Sequence, residues 1–155
     1  MTAHIAAYKA QGRTADKVVR AVTSIRHRER VRCSHVEILQ GPLWPGDDQW
    51  SIAASRRDGN RVRKKWINFA PDRWDVFELP GVFGAWETAC EHLGKPYDTL
   101  GAALCVTPFA RPGENALFCS ELAAMCLQLD RPFTLDPHMI VRTALEFGAR
   151  KWTRI

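Results

Sequence analysis

The chain has 155 residues, 46% of them hydrophobic and 25% charged, which suits one globular domain with one core. Its formal net charge of +5 and pI near 9.2 favour anionic surfaces such as nucleic acid, anionic lipid or cell-wall polymer. No apolar stretch is long enough to span a membrane, and neither a zinc-finger spacing nor an aromatic-rich RNA-binding signature accompanies the charge.

In chain order, Ile5 to Tyr8 reads as a first strand ending near the Gln11-Gly12 turn. The residues before it carry no apolar signal core, so the protein is expected to be made in the cytoplasm and to stay there unless something carries or releases it. Thr14 to Ile25 follows as a helix, with Thr14 as cap and Val18, Val19 and Val22 as its apolar stripe. Arg26 to Arg32 is a basic connection. Cys33 to Gln40 alternates as a strand: Val36 and Ile38 on one face, Cys33, His35, Glu37 and Leu39 on the other. Gln49 to Ser55 and Arg61 to Phe69 read as a hairpin around Asp58-Gly59-Asn60, and Asp75 to Leu79 as a further strand. The arginines and lysines at positions 56, 57, 61, 63, 64 and 65 are expected on solvated loops and strand edges.

The second half is helical. Val82 to Leu93 is a helix stopped by Gly94-Lys95-Pro96, and Asp98 to Cys105 a short one. Phe118 to Leu129 follows, with the buried stripe Cys119, Leu122, Ala123, Cys126 and Leu127. Asp136 caps a last helix that starts at Pro137 and runs to about Phe147, and Lys151 to Ile155 can return to the sheet. The expected class is therefore α+β, an antiparallel sheet packed on helices within a single domain over 1–155.

Two segments carry the chemistry. Ser34-His35-Val36-Glu37-Ile38 presents a histidine from a strand, and Phe118-Cys119-Ser120-Glu121-Leu122 puts a cysteine in the first turn of an apolar helix. Unpaired N–H groups and the helix dipole there favour a thiolate and can hold an oxyanion. The competing role for Cys119 is that of a small core residue, which is the role expected of Cys126. His35 is the candidate base, and Glu37 points the same way, free to orient its ring or to meet an arginine instead. Ser120 is a further hydroxyl without a Gly-x-Ser-x-Gly elbow. Ser51 and Ser55 can supply a third polar group, and Tyr97 can form a wall of the site. His92 and His138 are read as helix-end and first-turn surface residues, and the six tryptophans as core and groove packing. The five cysteines are odd in number and fit no metal knuckle or disulfide framework, so they are expected as reduced thiols; no metal and no cofactor are expected.

The order of these landmarks resembles the circularly permuted NlpC-type branch of papain-like cysteine hydrolases, in particular the YiiX-like group and its phage-encoded members. The matching pieces are Ile5-Ala6-Ala7-Tyr8-Lys9, Asp16-Lys17-Val18-Val19-Arg20, Ser34-His35-Val36-Glu37-Ile38, the 55–63 hairpin turn, Lys95-Pro96-Tyr97-Asp98 and Phe118-Cys119-Ser120-Glu121-Leu122. The resemblance implies a permuted papain-like fold with Cys119 as nucleophile and His35 as base, the histidine preceding the cysteine in the chain. Non-permuted relatives place a third polar residue on the strand after the histidine. Here that strand, Trp50 to Ser55, offers only serines, which leaves Glu37 as the substitute. Phe118 and Ser120 are then candidates beside the oxyanion.

The resemblance further implies hydrolysis of an amide, ester or thioester, on a peptide, lipid or cell-wall substrate, with possible peripheral contact with an anionic surface. A phage-encoded member would act in infection or lysis and be virion-associated or released. Acyl transfer on the same site is one alternative. A non-catalytic papain-like binding or phage assembly module is another, and nucleic-acid binding, suggested by charge alone, is not the expectation. No residue pattern sets the oligomeric state.

Overall fold

The computed structural model describes residues 2–9, 21, 24, 27, 33–44 and 46–152. The strands are β1 (Thr2–Lys9), β2 (Cys33–Leu39), β3 (Asp48–Ser55), β4 (Arg61–Asn68), β5 (Trp74–Phe83) and β6 (Arg150–Trp152). The helices are α1 (Ala85–Glu91), α2 (Thr99–Leu104), α3 (Cys119–Cys126) and α4 (Pro137–Glu146), with a 3-10 turn at Pro132–Thr134. Ala21, Ser24 and His27 are helical, so helix extends into the stretch expected as a basic connection; the rest of Thr14 to Ile25 and of Arg26 to Arg32 lies outside the described residues.

The six strands form one sheet in the order β4-β3-β2-β1-β5-β6, every neighbour antiparallel. The class is α+β, as the sequence indicates. β1 lies at the centre, and Ile5 and Ala6 are fully buried because both faces of the sheet are covered there. Ile5, Val36, Ile38, Ile52, Val62, Phe77 and Leu79 make the face on which the helices pack, against Leu122, Ala123, Cys126 and Ile140. The alternate residues Ala6, Leu39, Leu43, Phe69, Trp74 and Val76 form a second, smaller cluster. This is the period-two alternation of a strand.

Four expectations change. Cys33 sits with Val36 and Ile38 in the helix-side core, not on the His35 face. Tyr8 pairs with His35 and Lys9 with Cys33, so Ser34 is an extra residue that breaks the alternation as a β-bulge does. β5 runs on through Pro80-Gly81 to Phe83, with a register shift opposite Thr2 and Ala3, and α1 therefore starts at Ala85 rather than Val82. Trp44, Trp50 and Trp66 are exposed, whereas Trp74 is core. His138 is half-buried, its ring 5.2 Å from that of His27.

The Asp58-Gly59-Asn60 turn forms as expected, with Gly59 and Asn60 both at positive φ (85° and 54°). Such backbone suits glycine and asparagine, and the turn fixes the β3–β4 register: Ser55 opposite Arg61, Ala54 opposite Val62, Ala53 opposite Arg63. Asp136 caps α4 by accepting from the Met139 N–H at 2.9 Å, and also bonds His27 Nε2 at 2.8 Å.

Candidate active site

β2 and β3 pair through Ile38–Ile52 and Leu39–Ser51. α3 packs against both strands. Its N-terminus carries Cys119 to the stretch of β2 that presents His35, and the sulfur lies close enough to the ring to raise its pKa. The Cys119 residue is 8% exposed, and the His35 side chain 23%.

Nε2 of His35 lies 2.9 Å from Glu37 Oε1. Because Glu37 is ionised, Nε2 carries the hydrogen and donates it, which leaves Nδ1 for the thiol. Glu37 is 1% exposed and held from its other side by Arg63, whose Nη1 and Nη2 donate to Oε2 and Oε1, each at 2.6 Å. Such a bidentate, charge-assisted pair fixes the plane of the carboxylate. To reach Glu37 from β4, Arg63 crosses β3 at Ala53, its partner in register, whose methyl group leaves the path open. Arg63 Nε also donates to Asp58 Oδ2 at 3.1 Å, and Lys65 Nζ to Asp58 Oδ1 at 2.7 Å. The line runs Cys119, His35, Glu37, Arg63, Asp58, Lys65.

The electrostatics follow from that line. Burial opposes charge on His35, but Cys119 and Glu37 outweigh it and push its pKa up to about 10. Burial would raise Glu37, but hydrogen bonds from Arg63 and His35 prevail and hold it at about 2. Asp58 is likewise held below its usual range: burial opposes, Lys65 and Arg63 prevail. Cys126 is pushed up to about 12 by burial, as befits a core thiol, and Cys33 also to about 12, by burial and then by Asp136, Cys119 and Asp75.

The first turn of α3 places Glu121 at the third helical position. Phe118 is the N-cap, and its backbone N–H lies close enough to the Glu121 carboxylate to favour its ionised form. The Phe118 side chain is core. The N–H groups of Cys119 and Ser120, at the first two helical positions, have no intrahelical acceptor. The Ser120 hydroxyl is buried with no hydrogen-bond partner among the described residues. Burial, with a contribution from Asp98, raises Glu121 to about 7 against the opposing Phe118 N–H.

Tyr97 stands beside this turn. Its N–H donates to the Asn60 carbonyl at 2.9 Å, it bridges Leu117 in parallel, and its hydroxyl lies within the electrostatic reach of Cys119. Asp98 caps α2 through the Gly101 N–H at 2.7 Å. The serines of β3 lie elsewhere. Ser51 pairs with Leu39, four residues along β2 from His35, and donates to the Lys65 carbonyl at 3.2 Å. Ser55 bonds Asp58 within the hairpin turn, at 3.3 Å through its hydroxyl. Neither touches His35 or Cys119.

Sequence reasoning missed Arg63 and Asp58, taking the basic run as solvated. The signal was available: Arg61, Arg63 and Lys65 alternate with buried Val62, and the turn at 58–60 sets Arg63 opposite a small residue on the strand next to Glu37's. Among the described residues no three His, Cys, Asp or Glu side chains form a group fit for a metal ion, and no helix is long and apolar enough to cross a membrane. No protein-family model matches the chain, and no curated protein or solved structure does either.

Proposed function

We propose that this chain is a cysteine hydrolase of the permuted papain-like, NlpC-type kind, acting on an amide, ester or thioester. The observation that carries the reading is His35 set beside Cys119 and bonded to Glu37, with Glu37 clamped by Arg63. A bare thiol–imidazole contact can be accidental packing. An imidazole whose far nitrogen is fixed by a buried carboxylate, itself fixed by a bidentate arginine, has the order of parts that nucleophilic catalysis uses. The antiparallel sheet, the helix bearing the cysteine and the His-before-Cys chain order support the permuted architecture.

In this mechanism His35 Nδ1 takes the Cys119 proton, and Glu37 stabilises the imidazolium. The Sγ lone pair attacks the carbonyl carbon, and the carbonyl π electrons move to oxygen. The oxyanion is met by the N–H groups of Cys119 and Ser120. Collapse expels the leaving group, which takes its proton from Nδ1. Water then attacks the acyl-enzyme, His35 accepts its proton, and the thiol is regenerated. An amine or alcohol in place of water gives acyl transfer. A cell-wall peptide or a lipid is the substrate class in keeping with the basic chain, in a phage-encoded lytic or infective role.

A second reading, a non-catalytic binding module of the same fold, is favoured by the burial of Cys119. One experiment separates the two: a panel of chromogenic ester, thioester and amide substrates, with and without an amine acceptor, against wild type and Cys119→Ala. Hydrolysis or transfer that falls by about a thousandfold or more in the variant supports the enzyme. Turnover that survives in Cys119→Ala excludes this mechanism.

A further inference from the structure

β4 is an edge strand of the sheet, and its outer edge is covered over only part of its length. The Val62 N–H donates to the Lys95 carbonyl at 2.8 Å, the Val62 carbonyl accepts from the Gly94 N–H at 3.0 Å, and the Asn60 carbonyl accepts from the Tyr97 N–H at 2.9 Å. In an antiparallel strand the N–H and C=O of one residue point to the same side, and that side alternates along the chain. Val62 bonds outward, so the backbones of Lys64, Trp66 and Asn68 also face outward, while Arg63, Lys65 and Ile67 face β3. Among the described residues no strand or loop bonds the outward groups of Lys64, Trp66 and Asn68, and all three residues are exposed.

The side chains along this open stretch carry a distinct pattern. Lys64 and Trp66 share the sheet face of Val62. Trp66 is 51% exposed and stands opposite Trp50, the two rings 5.3 Å apart. The Lys64 ammonium lies 5.0 Å from the Trp50 ring centroid and 5.4 Å from that of Trp86 in α1. No carboxylate among the described residues pairs with it, whereas Arg63 is engaged by Glu37 and Asp58, and Lys65 by Asp58.

We propose that the open edge of β4, from Lys64 to Asn68, docks an acidic segment of a partner protein as an added antiparallel strand. Outward donors and acceptors that come as a pair at every second residue match an extended polypeptide; a phosphodiester chain or a lipid headgroup has no N–H groups in that period. The register sets the partner's sequence. Its residues opposite Trp66 and Lys64 lie two apart on one face. The first is apolar and extends the Trp50–Trp66 row, and the second is aspartate or glutamate and meets the Lys64 charge. The residue between them faces Lys65, whose charge Asp58 already meets, and is polar. A second copy of this chain is the poorer occupant, because two β4 edges side by side set lysines against lysines, the arrangement by which edge strands resist self-pairing. Docking here needs neither Cys119 nor His35.

The test is fluorescence anisotropy of a labelled peptide titrated with the full chain. The peptide alternates threonine with, in order, valine, valine, glutamate and glutamate, so that its second valine and first glutamate meet Trp66 and Lys64. Saturable binding is expected. N-methylation of that valine and that glutamate removes the N–H groups facing β4 and should weaken binding about tenfold or more, while N-methylation of the flanking threonines leaves it within about twofold. Lys64→Glu should weaken binding about threefold or more. Trp66→Pro, which removes an outward N–H at an edge where proline is tolerated, should abolish it. The methylated peptides carry the test on unaltered protein should that variant not fold. No binding up to about 1 mM protein, or equal binding of the two methylated peptides, overturns the proposal. Equal binding of a peptide with lysines in place of the glutamates overturns the acidic assignment. A dimer seen by sedimentation that the peptide does not dissociate and Trp66→Pro does would assign the edge to a second copy and overturn the partner.

Discussion

Replacing Glu37 with Gln tests the central bonding directly, because it keeps the side chain's shape and removes its charge. In the folded protein Glu37 is held at about 2, against an ordinary value of 4.5. A shift of that size corresponds to ~3 kcal/mol of stabilisation from the ionised carboxylate, and breaking a buried pair from one side costs a similar amount. The variant should therefore unfold at a urea concentration lower by about 1–3 M at pH 7. A pKa depressed by folding gives stability that is present above the unfolded value and lost as pH falls through the folded one. The gap between wild type and Glu37→Gln should thus be full between about pH 4.5 and 6.5, shrink toward pH 2, and also narrow as pH rises toward 10, where His35, whose pKa Glu37 helps raise, loses its charge. Asp58 and Asp75 also titrate below their usual range, but they do so in both proteins. Equal urea midpoints at pH 7, or a gap that does not close with acid, would refute the claim that Arg63 and His35 hold this carboxylate charged.

Further outcomes follow from the same geometry. Ala53→Leu should cost about 1–3 kcal/mol in urea unfolding, because its side chain fills the path by which Arg63 crosses β3 to Glu37; an unchanged midpoint would contradict that path. Asp136→Ala should lower stability by about 1–2 kcal/mol through loss of the α4 cap, whereas Asp136→Asn, a cap of equal strength, should isolate the His27 pairing. Thermal melts of both variants distinguish the two contributions. Cys126→Ser, which buries a hydroxyl in the core, should be measurably less stable while leaving Cys119 labelling unchanged; loss of that labelling would mean the two thiols share one role.

Much of the fold was legible because the signals are local. The 58–60 turn, the Asp136-Pro137 helix start and the Gly94-Lys95-Pro96 stop each depend on a few adjacent residues. The strand limits were less legible where pairing overrides propensity: β1 begins at Thr2 and β5 reaches Phe83 because those two residues pair, across a register shift that skips Pro80 to Val82. At the site, His35 and Cys119 stand out by residue type and position. Glu37 was open between His35 and an arginine, since two residues along a regular strand do not bring side chains into bonding distance. The structure gives it both partners, and the extra residue at Ser34 falls beside His35, where the strand departs from regular geometry. Arg63 was hidden because its partner lies 26 residues away on a strand that is not its neighbour. The alternation of β4 marks its face, but only the strand order β4-β3-β2 says what that face meets.

The most direct test of the Cys119–His35 pairing is the rate of iodoacetamide alkylation at each of the five cysteines across pH, in wild type and His35→Ala. Cys119 labelled faster than the other four near neutral pH, with that advantage lost in His35→Ala, is the predicted result. Labelling of Cys119 at the same rate with and without His35 would contradict the account.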